Sequence, residues 1–141
     1  MSISIKQLHE HFVGEVSGID LREPLSADQA REIHEGMDRF GILIFHDQDL
    51  TDDQQVAYTR NFGEIELAVG SNVFKEDQRR LRLEMADVSN LDQDGQVLAR
   101  NDRRRMFGLG NRLWHSDSSF RVTPSKFSLL SCRSKPPSGG N

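Results

Sequence analysis

The stretch Leu109-Gly-Asn-Arg-Leu-Trp-His-Ser-Asp-Ser-Ser-Phe120 holds the densest set of reactive side chains in this 141-residue sequence. In extended backbone, residues two apart point to the same side. His115 and Asp117 then aim an imidazole and a carboxylate at one point. A mononuclear non-haem Fe(II) site uses such donors: two His and one carboxylate on one side of the metal, with the other positions open. The pair would supply two of the three, leaving a distant His to supply the third. A surface histidine hydrogen-bonded to a neighbouring aspartate is the plainer alternative. The other histidines, His9, His11, His34 and His46, all precede the pair.

Outward from this stretch, the spacing predicts strands at 113–117 and 127–132 and a charged loop at 101–105. A strand over 81–91 ends at the turn-prone cluster 92–95. Nearer the N-terminus, 2–6 and 12–19 alternate polar and apolar residues, with Gly14 and Gly18 marking a bend in the second strand. Ser26 and Gln29 have capping-box spacing, followed by Ala30, Ile33, Met37 and Phe40 at helical period and Gly41 as the stop. The short apolar run 42–45 reads as a strand buried on both faces. Thr51 and Gln54 repeat the capping box for a helix from 52 to about 61, stopped by Gly63. The tail 135–141 is turn chemistry. The strict strand–helix alternation and glycine-rich loops of nucleotide-binding sheets are absent.

Composition narrows the class. With 18 basic and 22 acidic side chains the net charge is −4, and the isoelectric point near 5.7 argues against nonspecific nucleic-acid binding. The basic clusters Arg79-Arg-Leu-Arg82 and Arg103-Arg-Arg105 lack a stacking platform and read as solvated loops. The 79–105 stretch could alternatively line the entrance to a site for an anion. A single cysteine, Cys132, excludes an internal disulfide and multi-cysteine zinc sites. No apolar run approaches the roughly 20 residues of a membrane span, and residues 1–12 lack a signal-peptide core. The expectation is a cytoplasmic protein without nucleic-acid or membrane partners, compatible with a homo-oligomer.

The quoted stretch resembles the metal-binding segment of the Fe(II)/2-oxoglutarate dioxygenases of the taurine dioxygenase family, most of all the 2,4-dichlorophenoxyacetate dioxygenase branch. Other segments resemble that family in order: Gly41-Ile-Leu-Ile-Phe-His-Asp-Gln-Asp-Leu50, Arg60-Asn-Phe-Gly-Glu64, Asp87-Val-Ser-Asn-Leu91, and Phe127-Ser-Leu-Leu with Pro136-Pro-Ser-Gly-Gly-Asn141. The resemblance implies an α+β fold with a double-stranded β-helix (jelly-roll) core and flanking helices. It implies His115 and Asp117 as metal ligands, Asn111 as a substrate contact, Fe(II) as cofactor, and 2-oxoglutarate and O₂ as cosubstrates. The substrate it implies is a small organic anion such as 2,4-dichlorophenoxyacetate, cleaved at its ether to a phenol.

A taurine or alkylsulfonate dioxygenase of the same fold is the alternative. Ala68-Val-Gly-Ser71 lacks the substrate-binding His and Tyr of the taurine enzyme and speaks against it. A third reading, of another class, is a non-catalytic binding or structural protein. The resemblance further implies that 1–141 is the N-terminal portion of one such domain, cut after the Gly-Gly-Asn segment. The distal His and the 2-oxoglutarate-binding Arg are then expected downstream, and the 141-residue chain alone is expected to be inactive.

Overall fold

A computed structural model describes residues 3–68, 79–135 and 137–138. These fall into two compact units, one of residues 1–65 with 131–141, the other of residues 66–130.

The first unit is a small mixed sheet covered by a helix. Strand β1 (Ser4–Gln7) pairs antiparallel with β2 (Gly14–Ser17), which pairs parallel with β3 (Leu43–Phe45). A parallel neighbour cannot be reached by a tight turn, so the chain crosses over through helix α1 (Ala27–Phe40). The helix starts where the sequence predicts: Ser26 Oγ accepts from the Gln29 amide at 3.2 Å, and Gln29 Oε1 accepts from the Ser26 amide at 2.9 Å. It stops at Gly41, whose φ of 68° is left-handed and whose N–H donates to the Met37 carbonyl at 2.9 Å. Thr51 and Gln54 form the second capping box, opening helix α2 (Asp52–Thr59). That helix tightens into a 3-10 turn (Arg60–Phe62) and ends at Gly63.

The core of this unit holds Val16, Ile33, Phe40, Val56 and Tyr58. Helix α1 sits close on the sheet at two glycines, Gly36 of the helix and Gly14 of β2. A Cβ on Gly14 would lie 2.6 Å from Ile5 Cγ2 and 2.9 Å from Leu43 Cδ2, and one on Gly36 would lie 2.6 Å from Ile5 Cδ1. Gln48 fastens the loop before α1 to the end of β3: its side chain accepts from the Leu21 amide at 2.8 Å and donates to the His46 carbonyl at 3.0 Å. The run 42–45 is not buried on both faces: Leu43, Ile44 and Phe45 are half-buried and Ile42 is exposed. As the last strand of a three-stranded sheet, β3 is an edge strand, which leaves part of its surface to solvent.

The second unit departs most from the sequence expectation. Neither 81–91, 113–117 nor 127–132 forms a strand; a single bridge between Leu91 and Val97 is the extended pairing found there. The predicted turn is present, with the Asp92 carboxylate accepting from the Asp94 and Gln96 amides and Gly95 at φ 76°. Residues expected as a charged loop instead begin helix α3 (Arg103–Gly108), because Asp102 caps it by accepting from the Arg104 amide at 2.8 Å. A 3-10 turn (Leu109–Arg112) follows. Residue 2 of the first predicted strand, residues 69–71 and most of the 136–141 tail lie outside the described residues.

Two outcomes test this packing. Gly14→Ala should lower stability by about 1–3 kcal/mol, since the stiff β-branched Ile5 and the Leu43 methyl crowd the new Cβ. Gly36→Ala should cost much less, because the atom in its way ends a side chain and alanine gains about 1 kcal/mol over glycine inside a helix. Urea unfolding of the two variants checks the order. Tyr58, the one tyrosine of the chain, has its hydroxyl pKa pushed up by burial. A raised folded pKa means stability is held below the unfolded value of about 10 and lost as pH rises beyond it. Tyrosinate absorbance should therefore appear together with loss of the fold, and Tyr58→Phe should remove that alkaline loss.

Candidate metal site

Extended backbone enters the site at Leu113 (φ −99°, ψ 145°) and leaves through a turn in which Ser118 takes a left-handed φ of 56°. His115 and Asp117 thus sit on an irregular segment, not on the expected strand, since no neighbouring strand among the described residues gives 113–117 a ladder to join. Their side chains still converge: His115 Nε2 lies 3.2 Å from Asp117 Oδ1. Both remain substantially exposed, at 48% and 58%.

The other two heteroatoms of the pair are occupied. His115 Nδ1 lies 2.7 Å from the Leu113 carbonyl. A carbonyl only accepts, so Nδ1 is the donor in that contact and Nε2 is the ring nitrogen that faces Asp117. On the carboxylate, Ser128 Oγ donates to Asp117 Oδ2 at 2.7 Å. The two atoms left to converge are therefore Nε2 and Oδ1. Two donors each about 2.1 Å from a divalent cation and at right angles sit about 3.0 Å apart. The observed separation and donor chemistry fit that edge of a coordination sphere. No group of three or more His, Cys, Asp or Glu side chains able to hold a metal occurs among the described residues.

The turn behind the pair is tied down. Glu66 accepts from Ser125 Oγ at 2.7 Å and from Arg121 Nε at 3.3 Å, and Arg121 also donates to the Leu67 carbonyl. Hydrogen bonds from Ser125 and Ser118 hold the Glu66 carboxyl below the usual carboxylate range. Ser118 is buried, and the Arg121 amide donates to its carbonyl at 2.9 Å. Asn111 is exposed on the preceding 3-10 turn.

The remaining candidates of the sequence have structural roles. His46 pairs with Glu15 across the β2–β3 edge at 3.1 Å, and His34 with Asp38 along α1 at 3.3 Å. Arg80 makes a two-pronged contact with Asp87, Arg82 one with Glu84, and Arg104 one with Asp102, whose carboxyl the Arg104 guanidinium lowers to about 2. Arg80, Arg82 and Arg104 thus meet nearby carboxylates, whereas Arg105 donates to the Leu98 carbonyl at 3.1 Å. Ser128 and Glu66 carry no sequence signal, since each acts through a partner 11 or 59 positions away. Arg133 was equally silent: it reaches Leu50 O, Asp52 and Gln55 at the start of α2.

Proteins of known description match the chain along its length. The sequence profile described as "Taurine catabolism dioxygenase TauD, TfdA family" matches residues 4–141. An alpha-ketoglutarate-dependent 2,4-dichlorophenoxyacetate dioxygenase of Cupriavidus pinatubonensis is 42% identical over the whole chain, and one of the same description from Burkholderia sp. strain RASC is 40% identical. The chain spans about half the length of these relatives, 49% and 47%. The crystal structure of AAD-2 in complex with Mn(II) and N-oxalylglycine superposes on 88% of the chain and 43% of its own, with a TM-score of 0.81 and 55% identity. No helix among the described residues is long and apolar enough to cross a membrane. The chain belongs to the taurine catabolism dioxygenase TauD/TfdA family.

Proposed function

We propose that this chain carries two ligands of a mononuclear Fe(II) centre in a 2-oxoglutarate-dependent dioxygenase that hydroxylates a small organic anion, a phenoxyalkanoate such as 2,4-dichlorophenoxyacetate. The observation that carries this reading is the approach of His115 Nε2 to Asp117 Oδ1 at 3.2 Å with their other heteroatoms already bonded. The names of the two curated relatives supply the substrate class. N-oxalylglycine in the AAD-2 crystal is 2-oxoglutarate with an N–H in place of one methylene, in keeping with the cosubstrate. Residues 1–141 are then the N-terminal portion of one domain with a jelly-roll core, in a cytoplasmic enzyme. The strand-like segments 113–117 and 127–132 would find ladder partners in the rest of that core.

In this reading Nε2 of His115 and Oδ1 of Asp117 hold the metal on one side. The Leu113 carbonyl fixes the histidine tautomer, and Ser128 fixes the carboxylate. Asn111, four positions before His115, presents an amide that can hydrogen-bond the organic anion. When bound, Fe(II) with 2-oxoglutarate and O₂ supplies the oxidising power for placing a hydroxyl on a substrate C–H, with succinate and CO₂ as coproducts. With a phenoxyalkanoate, hydroxylation beside the ether oxygen gives a hemiacetal that collapses to a phenol and an oxoacid.

The full-length protein supplied with Fe(II), 2-oxoglutarate and 2,4-dichlorophenoxyacetate should form succinate and the phenol in equal amounts, with taurine a far poorer substrate. His115→Ala should lower turnover by more than about 100-fold, beyond the 10–100-fold typical of residues that only support a ligand. Unchanged turnover in that variant overturns the reading, and preference for taurine overturns the substrate. Asn111→Ala should raise KM for the phenoxyalkanoate while leaving KM for 2-oxoglutarate unchanged, measured by steady-state kinetics.

A further inference from the structure

We propose that Ser128 is a positioning residue that makes Asp117 a one-oxygen ligand. The inference rests on the metal-site reading above and adds to it a residue that no sequence pattern marks. A free carboxylate can bind a cation through one oxygen or through both. The Ser128 hydroxyl donates to Asp117 Oδ2 at 2.7 Å, within the range of a short charge-assisted hydrogen bond. That bond engages the oxygen on the far side from His115 and leaves Oδ1 as the one facing Nε2. Binding through both oxygens would require breaking it. The carboxylate is therefore turned before any metal arrives, and one more coordination position stays open for the cosubstrates.

The arrangement is fixed from two directions. The Ser118 turn sets where the Asp117 backbone lies, and Glu66 anchors that turn through Ser125 and Arg121. Ser128, 11 positions further on, sets how the carboxylate is rotated. Ser128 is exposed, so exchanging its side chain removes the hydroxyl without opening a buried cavity.

The test compares Ser128→Thr with Ser128→Val in the full-length protein. Threonine and valine have the same shape and differ in the hydroxyl, so a change seen in valine alone belongs to the hydrogen bond and not to packing. Mn(II) and Co(II) binding without 2-oxoglutarate gives the affinities, and the visible spectrum of the Co(II) protein reports the coordination. Ser128→Val should bind Mn(II) about 10-fold more weakly and shift the Co(II) spectrum, whereas Ser128→Thr should stay within about threefold of the parent with its spectrum unchanged. His115→Ala runs alongside. Equal affinities and spectra for the valine and threonine variants, with binding lost in His115→Ala, overturn the role of Ser128 and leave the metal site standing. Full Mn(II) affinity in His115→Ala overturns the metal site itself.

Discussion

Extended backbone lasts as a strand only where its amides and carbonyls meet those of a neighbour. That requirement sorts the whole chain. β2 has a neighbour on each side, and around it the sheet, its covering helix and its glycine contacts assemble. The segments 113–117 and 127–132 have none among the described residues and lie as irregular chain. There, side-chain hydrogen bonds take over the work of a ladder: Glu66 to Ser125 and Arg121, and Ser128 to Asp117. Such bonds fix single points and not whole stretches, so the second unit holds its turn and its His–Asp pair without a sheet.

The same physics decides how much could be read from the sequence. Both long helices were legible, caps and stops included, because a capping box and a glycine C-cap act across three or four residues. The first two strands were legible for a related reason: a short connection joins them, and their alternation stays local. Strands 81–91, 113–117 and 127–132 were expected from alternation alone, which says that a segment could pair and not with what. Helix α3 was missed because a run of arginines hid a one-residue signal, the Asp102 cap. Of the candidate site, the pairing of His115 with Asp117 was legible from their spacing, and the two side chains meet at 3.2 Å although the segment is not a strand. Ser128, Glu66 and Arg133 were not, because each is an ordinary polar residue defined only by a distant partner.

Charge follows the same division between local and distant. The arginine-rich loops look from the sequence like a reserve of positive charge for an anion. In the structure Arg80, Arg82 and Arg104 each meet a carboxylate two or seven positions away in the sequence. Pairs that local set the orientation of the guanidinium groups. In the proposed function, recognition of an organic anion would then draw on hydrogen-bonding groups near the pair, of which Asn111 is the one the sequence points to, more than on these three arginines.

Asp117 is where these lines meet. Its two oxygens have different partners, an imidazole nitrogen at 3.2 Å and a serine hydroxyl at 2.7 Å, and its neighbour Ser118 holds a left-handed backbone that serine adopts at some cost. Strain of this kind persists only where surrounding contacts impose it, and the Glu66 network provides them. A surface ion pair would need neither the strained turn nor the second hydrogen bond, because an exposed histidine and aspartate can find each other through side-chain rotation alone. The extra constraints fix the direction of Oδ1, which is what the proposed role of holding a cation at a set angle to both donors asks of it. The geometry around Asp117 thus supports the ligand role proposed for it, with one oxygen engaged by Ser128 and the other facing His115.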